Sequence, residues 1–139
     1  MTYAKPLPEP DIESRPFWDA AREHRLVIQR CLDCGAHRFP AATFCAACRS
    51  DRSEWVQASG KGRVFSWIVV NHPVPKDVYG PDVPYVVALV TLEEGVRLVS
   101  NIVGCDPSAV VVDMPVRVTF DDVTDKISLP RFRPEASRA

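Results

Sequence analysis

Four cysteines carry the chemistry read most directly from this 139-residue chain. Cys31-Leu32-Asp33-Cys34-Gly35 and Cys45-Ala46-Ala47-Cys48 are two CxxC pairs separated by 10 residues. The two-residue spacing lets both thiolates of a pair reach one ion while backbone N–H groups point at the sulfurs, and Gly35 suits the tight turn that follows. Two facing knuckles then supply four sulfurs at about 2.3 Å in a tetrahedron, which is a closed structural zinc site. Iron fits the same sulfur cage, but zinc is its usual occupant. Four thiolates leave no open position for water or substrate, so the site speaks for folding rather than catalysis.

The remaining reactive side chains do not assemble into a catalytic set. Cys105, the fifth cysteine, follows Ile102-Val103-Gly104 at a strand end and reads as a buried, inert thiol. His72, in Asn71-His72-Pro73, ends a strand, and no spacing pairs it with Cys105; it reads as a lone surface histidine. His37, between the knuckles, reads as a loop residue. Asp121, Asp122 and Asp125 are close enough in sequence for acid/base work, but their pattern is that of a solvated hairpin tip. The chain has no glycine-rich phosphate loop, no HExxH and no nucleophile elbow.

The elements around the cysteines are mainly β. Pro6, Pro8, Pro10 and Pro16 predict an extended arm leading to a short helix. Ser14 or Arg15 is its cap, Phe17, Ala20, Ala21 and His24 fall at helical spacing, and the helix ends near His24 or Arg25. Residues 26–31 and 54–58 read as short strands on either side of the knuckles. After Gly60-Lys61-Gly62 the pattern becomes that of sheet, with Val64, Ser66, Ile68 and Val70 alternating against Phe65, Trp67 and Val69. Residues 85–92 and 96–103 flank a Glu93-Glu94-Gly95 turn, residues 116–120 make a fourth strand, and 127–132 a fifth. Five strands with a short segment between the third and fourth predict a Greek-key barrel of the OB type; a seven-stranded sandwich does not fit the length. The expected organisation is an arm and N-terminal helix over 1–25, a zinc ribbon over 26–58, a five-stranded OB barrel over 59–133 and a flexible tail over 134–139.

Charge narrows the function. Formal net charge is −1, with 46% hydrophobic and 25% charged residues, an ordinary globular balance. Residues 64–130 hold four basic and nine acidic residues (4 − 9 = −5), so the barrel lacks the basic track that a nucleic-acid groove needs. Residues 15–63 hold nine Lys/Arg and five Asp/Glu, a moderate basic patch of +4 before the thiolates bind their ion. The start has no apolar h-region, and no apolar run approaches the roughly 20 residues of a membrane span. Cysteines in a chain without an export signal favour metal over disulfides, and a cytoplasmic protein is expected.

Taken together, Phe17-Trp18, residues 26–35 through both first cysteines, Phe39-Pro40 and Cys45-Ala46-Ala47-Cys48 resemble a known family. It comprises acyl-CoA-associated proteins that join a rubredoxin-like zinc ribbon to an OB fold. Residues 60–67, 84–90, 94–98, 101–104 and 129–132 continue the resemblance in the family's order, over about residues 14–134. One departure is Asp113, where the family usually has Gly. The resemblance implies zinc on Cys31, Cys34, Cys45 and Cys48, and a partner from the thiolase superfamily whose subunit holds the catalytic residues. Some members serve thiolase-like aldolases that shorten CoA-linked steroid side chains by retro-aldol cleavage; others serve acetoacetyl-CoA thiolase assemblies and hold the acyl-CoA. The expected role is a non-catalytic subunit of a hetero-oligomeric lyase or acyltransferase. Phe17, Trp18, Arg38, Phe39, Trp67 and Tyr85 are the candidates for meeting the partner or acyl-CoA; the plainer reading of Phe17 and Trp18 is that they anchor the helix to the body. A nucleic-acid module and a free-standing acyl-CoA carrier are the rivals.

Overall fold

The computed structural model describes residues 3–135. Asp11 and Ser14 hold each other at the end of the proline-rich arm. The Ser14 N–H donates to Asp11 Oδ1 at 2.7 Å, and the Asp11 N–H to Ser14 Oγ at 3.1 Å. Helix α1, Arg15–Arg22, starts there with Pro16 in its first turn; Ser14 caps it by position, its hydroxyl being engaged upstream. The helix closes in a Schellman turn. His24 N–H bonds Ala21 O and Arg25 N–H bonds Ala20 O, both at 2.9 Å, with His24 at φ +59°.

Strands β1 (Val27–Cys31), β2 (His37–Arg38) and β3 (Ser53–Gln57) form an antiparallel sheet in the order β2-β1-β3. Strands β4 (Lys61–Val70), β5 (Tyr85–Leu92), β6 (Arg97–Ile102), β7 (Pro115–Asp122) and β8 (Ser128–Pro134) close into a barrel in the order β4-β5-β6-β8-β7. Antiparallel β4–β7 pairing seals it, and β6 lies parallel to β8 where Ile102 meets Phe132. This is the OB barrel that the strand pattern predicts. The β6–β7 connection holds only the 3-10 turn Pro107–Ala109. At the seam, Gly62 faces both Leu92 and Val116. A Cβ there would lie 2.7 Å from the Thr91 carbonyl oxygen and 2.8 Å from Val90 Cγ1, so only glycine lets the strands come this close. Asp113 occupies a left-handed turn at φ +63°, the conformation for which glycine is otherwise used.

The alternation expected along β4 is broken at Phe65. Val64 pairs with Val90 and Ser66 with Leu89, leaving Phe65 as an extra residue in a bulge. Past it the faces exchange: Trp67 packs on the barrel core, while Ile68 is 62% exposed. A period-two reading across the bulge therefore assigns the second half of the strand to the wrong sides.

One core runs through the whole molecule. Phe17 of α1, Leu26 and Ile28 of the ribbon, and Ala58 join Val64, Val90, Val116 and Phe132 of the barrel. Helix α1 packs against β1 and β8 and so sits at the junction. Phe17 is only 7% exposed, edge-on to Trp18 (ring centroids 4.9 Å, 84°) and tilted on Phe39 at 5.2 Å. The Phe17-Trp18 pair is thus not an exposed docking element: Phe17 is core, and Trp18 is half-buried beside it. Pro134 closes β8, and Glu135 is tied by its N–H to Pro115 O and by its carboxylate to Arg117 at 2.8 Å. Residues 134 and 135, expected to open a flexible tail, are thus held to the barrel; the rest of that expected tail, residues 136–139, lies outside the described residues. Phe17→Ala is expected to lower stability by about 3 kcal/mol, the cost of a large core cavity. Thermal denaturation should show a drop of roughly 10 °C, with zinc content unchanged because Phe17 touches no ligand.

Candidate metal centre

The two knuckles are built to the same local plan. Cys31 ends β1, the Gly35 N–H returns to Cys31 O at 3.0 Å, and Gly35 takes φ +79°. In the second knuckle the Arg49 N–H returns to Cys45 O at 2.8 Å, and Arg49 takes φ +66°. An arginine stands in the left-handed position that glycine fills in the first knuckle, a strained conformation for a side chain with a Cβ. Nothing in the second pair's sequence signals it. The knuckles are tied together away from the sulfurs: Leu32 N–H donates to Arg52 O at 3.0 Å, Arg52 meets Asp33 at 3.2 Å, and the Ser50 hydroxyl donates to Asp33.

All four sulfurs converge. Cys31, Cys34, Cys45 and Cys48 place every Sγ within 4.8 Å of the others. The Cys31–Cys48 and Cys34–Cys45 separations are 3.5 and 3.6 Å. A tetrahedron of 2.3 Å zinc–sulfur bonds has edges of roughly 3.8 Å, so the cage has the size of a zinc ion. Too long for disulfides, the separations also leave all four cysteines free. Charge competition agrees. The Cys34 and Asp33 N–H groups hold the Cys31 thiol down at about 6, and Cys45 is lowered chiefly by the Cys48 and Ala47 N–H groups. The Ser50 N–H favours the Cys48 thiolate, but its sulfur neighbours and desolvation outweigh that and push it up to about 12. Backbone donors invite negative charge that four adjacent sulfurs cannot all carry without a cation among them. Bound zinc supplies that cation, as a structural crosslink between the knuckles.

The residues expected to meet a partner do not form one site. Arg38 is consumed by the ribbon: Nε donates to Gln29 Oε1 at 2.7 Å and Nη2 to Ala42 O at 2.8 Å, while Nη1 is buried without a hydrogen-bond partner among the described residues. Phe39 backs Phe17, and Trp67 packs on the barrel. Tyr85 stands apart, 6.2 Å from Tyr79, in a cavity of about 370 Å³ that Cys105, Asn101 and Arg131 also line. There burial, and then Asp106, push the Cys105 thiol up, which disfavours its thiolate. His72 is exposed on the β4–β5 connection, and His37 lies in β2.

The acidic loop is more structured than a solvated hairpin tip. Asp122 accepts from the Ser128 hydroxyl at 2.5 Å and meets His24 Nε2 at 2.8 Å, two contacts that hold its carboxyl below the usual range. His24 in turn stacks on Phe120 at 5.2 Å, so the turn after α1 is clipped to β7. Asp121 accepts from Arg131 Nε at 3.1 Å. The carboxylate stands between the serine and the histidine, so the imidazole bonds the carboxylate and not the hydroxyl, and the order is not that of a Ser-His-Asp triad. No spacing signals the trio, because His24 and Asp122 are 98 residues apart.

Comparison with known proteins agrees with this architecture. The family model of the ChsH2 rubredoxin-like zinc ribbon domain matches residues 18–54, and that of the ChsH2 C-terminal OB-fold domain matches residues 55–121. A DUF35 domain-containing scaffold protein of Methanothermobacter thermautotrophicus is 39% identical over 76% of this chain and 78% of its own length. The chain belongs to the DUF35 family of ChsH2-type zinc-ribbon/OB-fold proteins. Within that family it is 43% identical to a probable enoyl-CoA hydratase alpha subunit of Thermomonospora curvata over 91% of the chain and 40% of the relative. It is 42% identical to the 3-oxo-4,17-pregnadiene-20-carboxyl-CoA hydratase alpha subunit of Mycobacterium tuberculosis, over 84% of the chain and 39% of the relative. The chain thus spans about two fifths of the length of these two relatives. A solved chain of the Ltp2-ChsH2(DUF35) aldolase superposes with a TM-score of 0.83 at 41% identity, covering 92% of this chain and 98% of that one.

Zinc analysis of the purified protein is expected to find about one ion per chain. Cys34→Ser should lose it together with soluble expression, since structural zinc contributes on the order of 10 kcal/mol, comparable to a whole domain's stability. A metal-free chain with unchanged circular dichroism would contradict this.

Proposed function

We propose that this DUF35-family chain is a non-catalytic accessory subunit of a thiolase-like acyl-CoA enzyme. The enzyme is an aldolase that cleaves CoA-linked steroid side chains by a retro-aldol reaction in the cytoplasm. The observation that carries the reading is chemical. The metal-ligand cluster among the described residues is a closed four-sulfur site, Asp122 and His24 are engaged with each other, the surroundings of Cys105 disfavour its thiolate, and exposed His72 lies on a separate connection. A chain so furnished contributes shape and support to another subunit's reaction. Similarity to the solved Ltp2-ChsH2(DUF35) aldolase chain over nearly its whole length supports the aldolase, and the pregnadiene-carboxyl-CoA name of a 42% identical relative supports the steroid acyl-CoA. Among the described residues no helix is long and apolar enough to cross a membrane.

A second reading, which the family resemblance also implies, is a bridge in a biosynthetic thiolase assembly; the scaffold names of two relatives support bridging as such. Co-expression of this chain with the thiolase-superfamily proteins of its own genome distinguishes them. One stable hetero-complex is expected, releasing a ketone from a CoA-linked steroid side chain, with the partner alone at least about tenfold less active or insoluble, a coupling of the size usual between subunits. Stimulated acyl condensation without retro-aldol cleavage would favour the bridge. A fully soluble and active partner alone would overturn both.

The barrel's acidity sets a further expectation. Single-stranded DNA or RNA should bind no better than about 100 μM at physiological salt, because non-specific binding requires phosphate neutralisation. Fluorescence anisotropy checks this, and micromolar binding with a steep salt slope would restore the nucleic-acid reading.

A further inference from the structure

The outer surface of β4, β5 and β6 carries an aliphatic stripe where a solvated sheet places polar side chains. Strand register sets Ile68 beside Val87, and Leu89 beside Val99, on this surface. Val99 is 69% exposed and Ile68 nearly as open. Phe65, lifted by the bulge, adds a half-exposed ring. Beyond the stripe, Arg63 and Arg97 flank Thr91 across the same three strands. The Arg97 guanidinium lies over the Phe65 ring at 3.8 Å and donates from Nε to Thr91 Oγ1 at 3.2 Å; Arg63 donates to Asp113 O at 3.0 Å. Among the described residues, neither arginine has a carboxylate within ion-pair distance. Exposed aliphatic side chains gathered on one face are what a partner surface covers, and Arg97 on Phe65 adds two residue types enriched at interfaces.

We propose that this face docks the thiolase-superfamily subunit, which meets it with an apolar patch edged by carboxylates; the inference rests on the function proposed above. Charge selects the occupant. The segments Lys61–Val70, Tyr85–Leu92 and Arg97–Ile102 contain no Asp or Glu. A second copy laid face to face with like ends together would set guanidinium against guanidinium, and the carboxylates lining the cleft at Arg63 and Arg97, Glu93, Asp113 and Glu135, lie outside the three strands. Single-stranded nucleic acid would use stacking rings along a basic track, whereas this centre is aliphatic and its arginines sit at one end only. A protein surface with Asp or Glu around aliphatic side chains satisfies the apolar centre and the unpaired arginines together.

The test uses the full chain and the thiolase-superfamily subunit that forms the complex. Ile68→Asp combined with Val99→Asp changes two exposed side chains, so zinc content and melting temperature should stay as in the wild type; Ile68→Ser with Val99→Ser is the milder pair should the aspartates disturb folding. Calorimetry is expected to show affinity for the subunit reduced by about 100-fold for the aspartate pair. Arg97→Glu should weaken it by about tenfold, the loss shrinking as salt is raised. Folded variants that bind the subunit like the wild type would overturn the docking face and leave the accessory role standing. A wild-type chain that binds no thiolase-superfamily protein would overturn both. Self-association in sedimentation equilibrium that Ile68→Asp disperses would assign the face to a second copy, and micromolar binding of an oligothymidylate lost in Arg97→Glu would assign it to nucleic acid. Either result overturns the proposal.

Discussion

Attraction between four thiolates and one divalent cation is what allows the N-terminal third of this protein to have a structure. Its sheet is three short strands, one of them only His37–Arg38, and the knuckle loops offer water Leu32 and Phe44. So small a sheet buries too little apolar surface to hold itself. Asp33, Ser50 and Arg52 stitch the loops together, yet they are exposed groups whose ion pairs and hydrogen bonds contribute little in water. The metal–sulfur bonds do what the missing core cannot, and everything upstream inherits the result. Only with Cys31 fixed does β1 point Leu26 and Ile28 into the barrel.

The seam that follows from this is the principal difference between the expected and the observed molecule. On the sequence alone, Phe17 and Trp18 fit either an anchor that holds the helix to the body or an exposed docking pair. In three dimensions Phe17 is the plug between helix, ribbon and barrel, with Phe39 on its other side. Helical spacing placed Phe17, Ala20 and Ala21 on one face, but spacing does not say what that face meets. Arg38 shows the same limit. A basic residue between two knuckles suggests an anion, whereas here it cross-braces Gln29 and Ala42 within the ribbon.

The metal ligands and the five-stranded barrel were legible because each depends on local spacing: CxxC, period-two alternation, and the turn residues Glu93, Glu94 and Gly95. What was not legible depends on contacts far apart in sequence. The His24–Asp122–Ser128 clip ties the end of a helix to the paired ends of β7 and β8, and each residue alone looks like a solvated polar group. Left-handed Arg49 was hidden for another reason, since local geometry there is imposed by the metal site rather than preferred by the side chain. Asp113 is the opposite case: its departure from the family's glycine leaves the turn in place, because aspartate tolerates the conformation.

The bulge at Phe65 separates two properties of β4 that usually travel together, the order of its residues and the side each one faces. Straightening the ladder while keeping every residue would turn Ser66 and Ile68 inward and drive Trp67 out. Deleting Phe65 would instead leave Ser66, Trp67 and Ile68 opposite Leu89, Ala88 and Val87 as they are now. For this strand the shorter chain is the conservative edit, at the cost of the extra local twist that a bulge provides. Length variation inside a strand is ordinarily the most disruptive kind, and here parity makes one such change the mildest available. Relatives differing by that single residue would keep the same wet and dry sides while appearing misaligned in sequence.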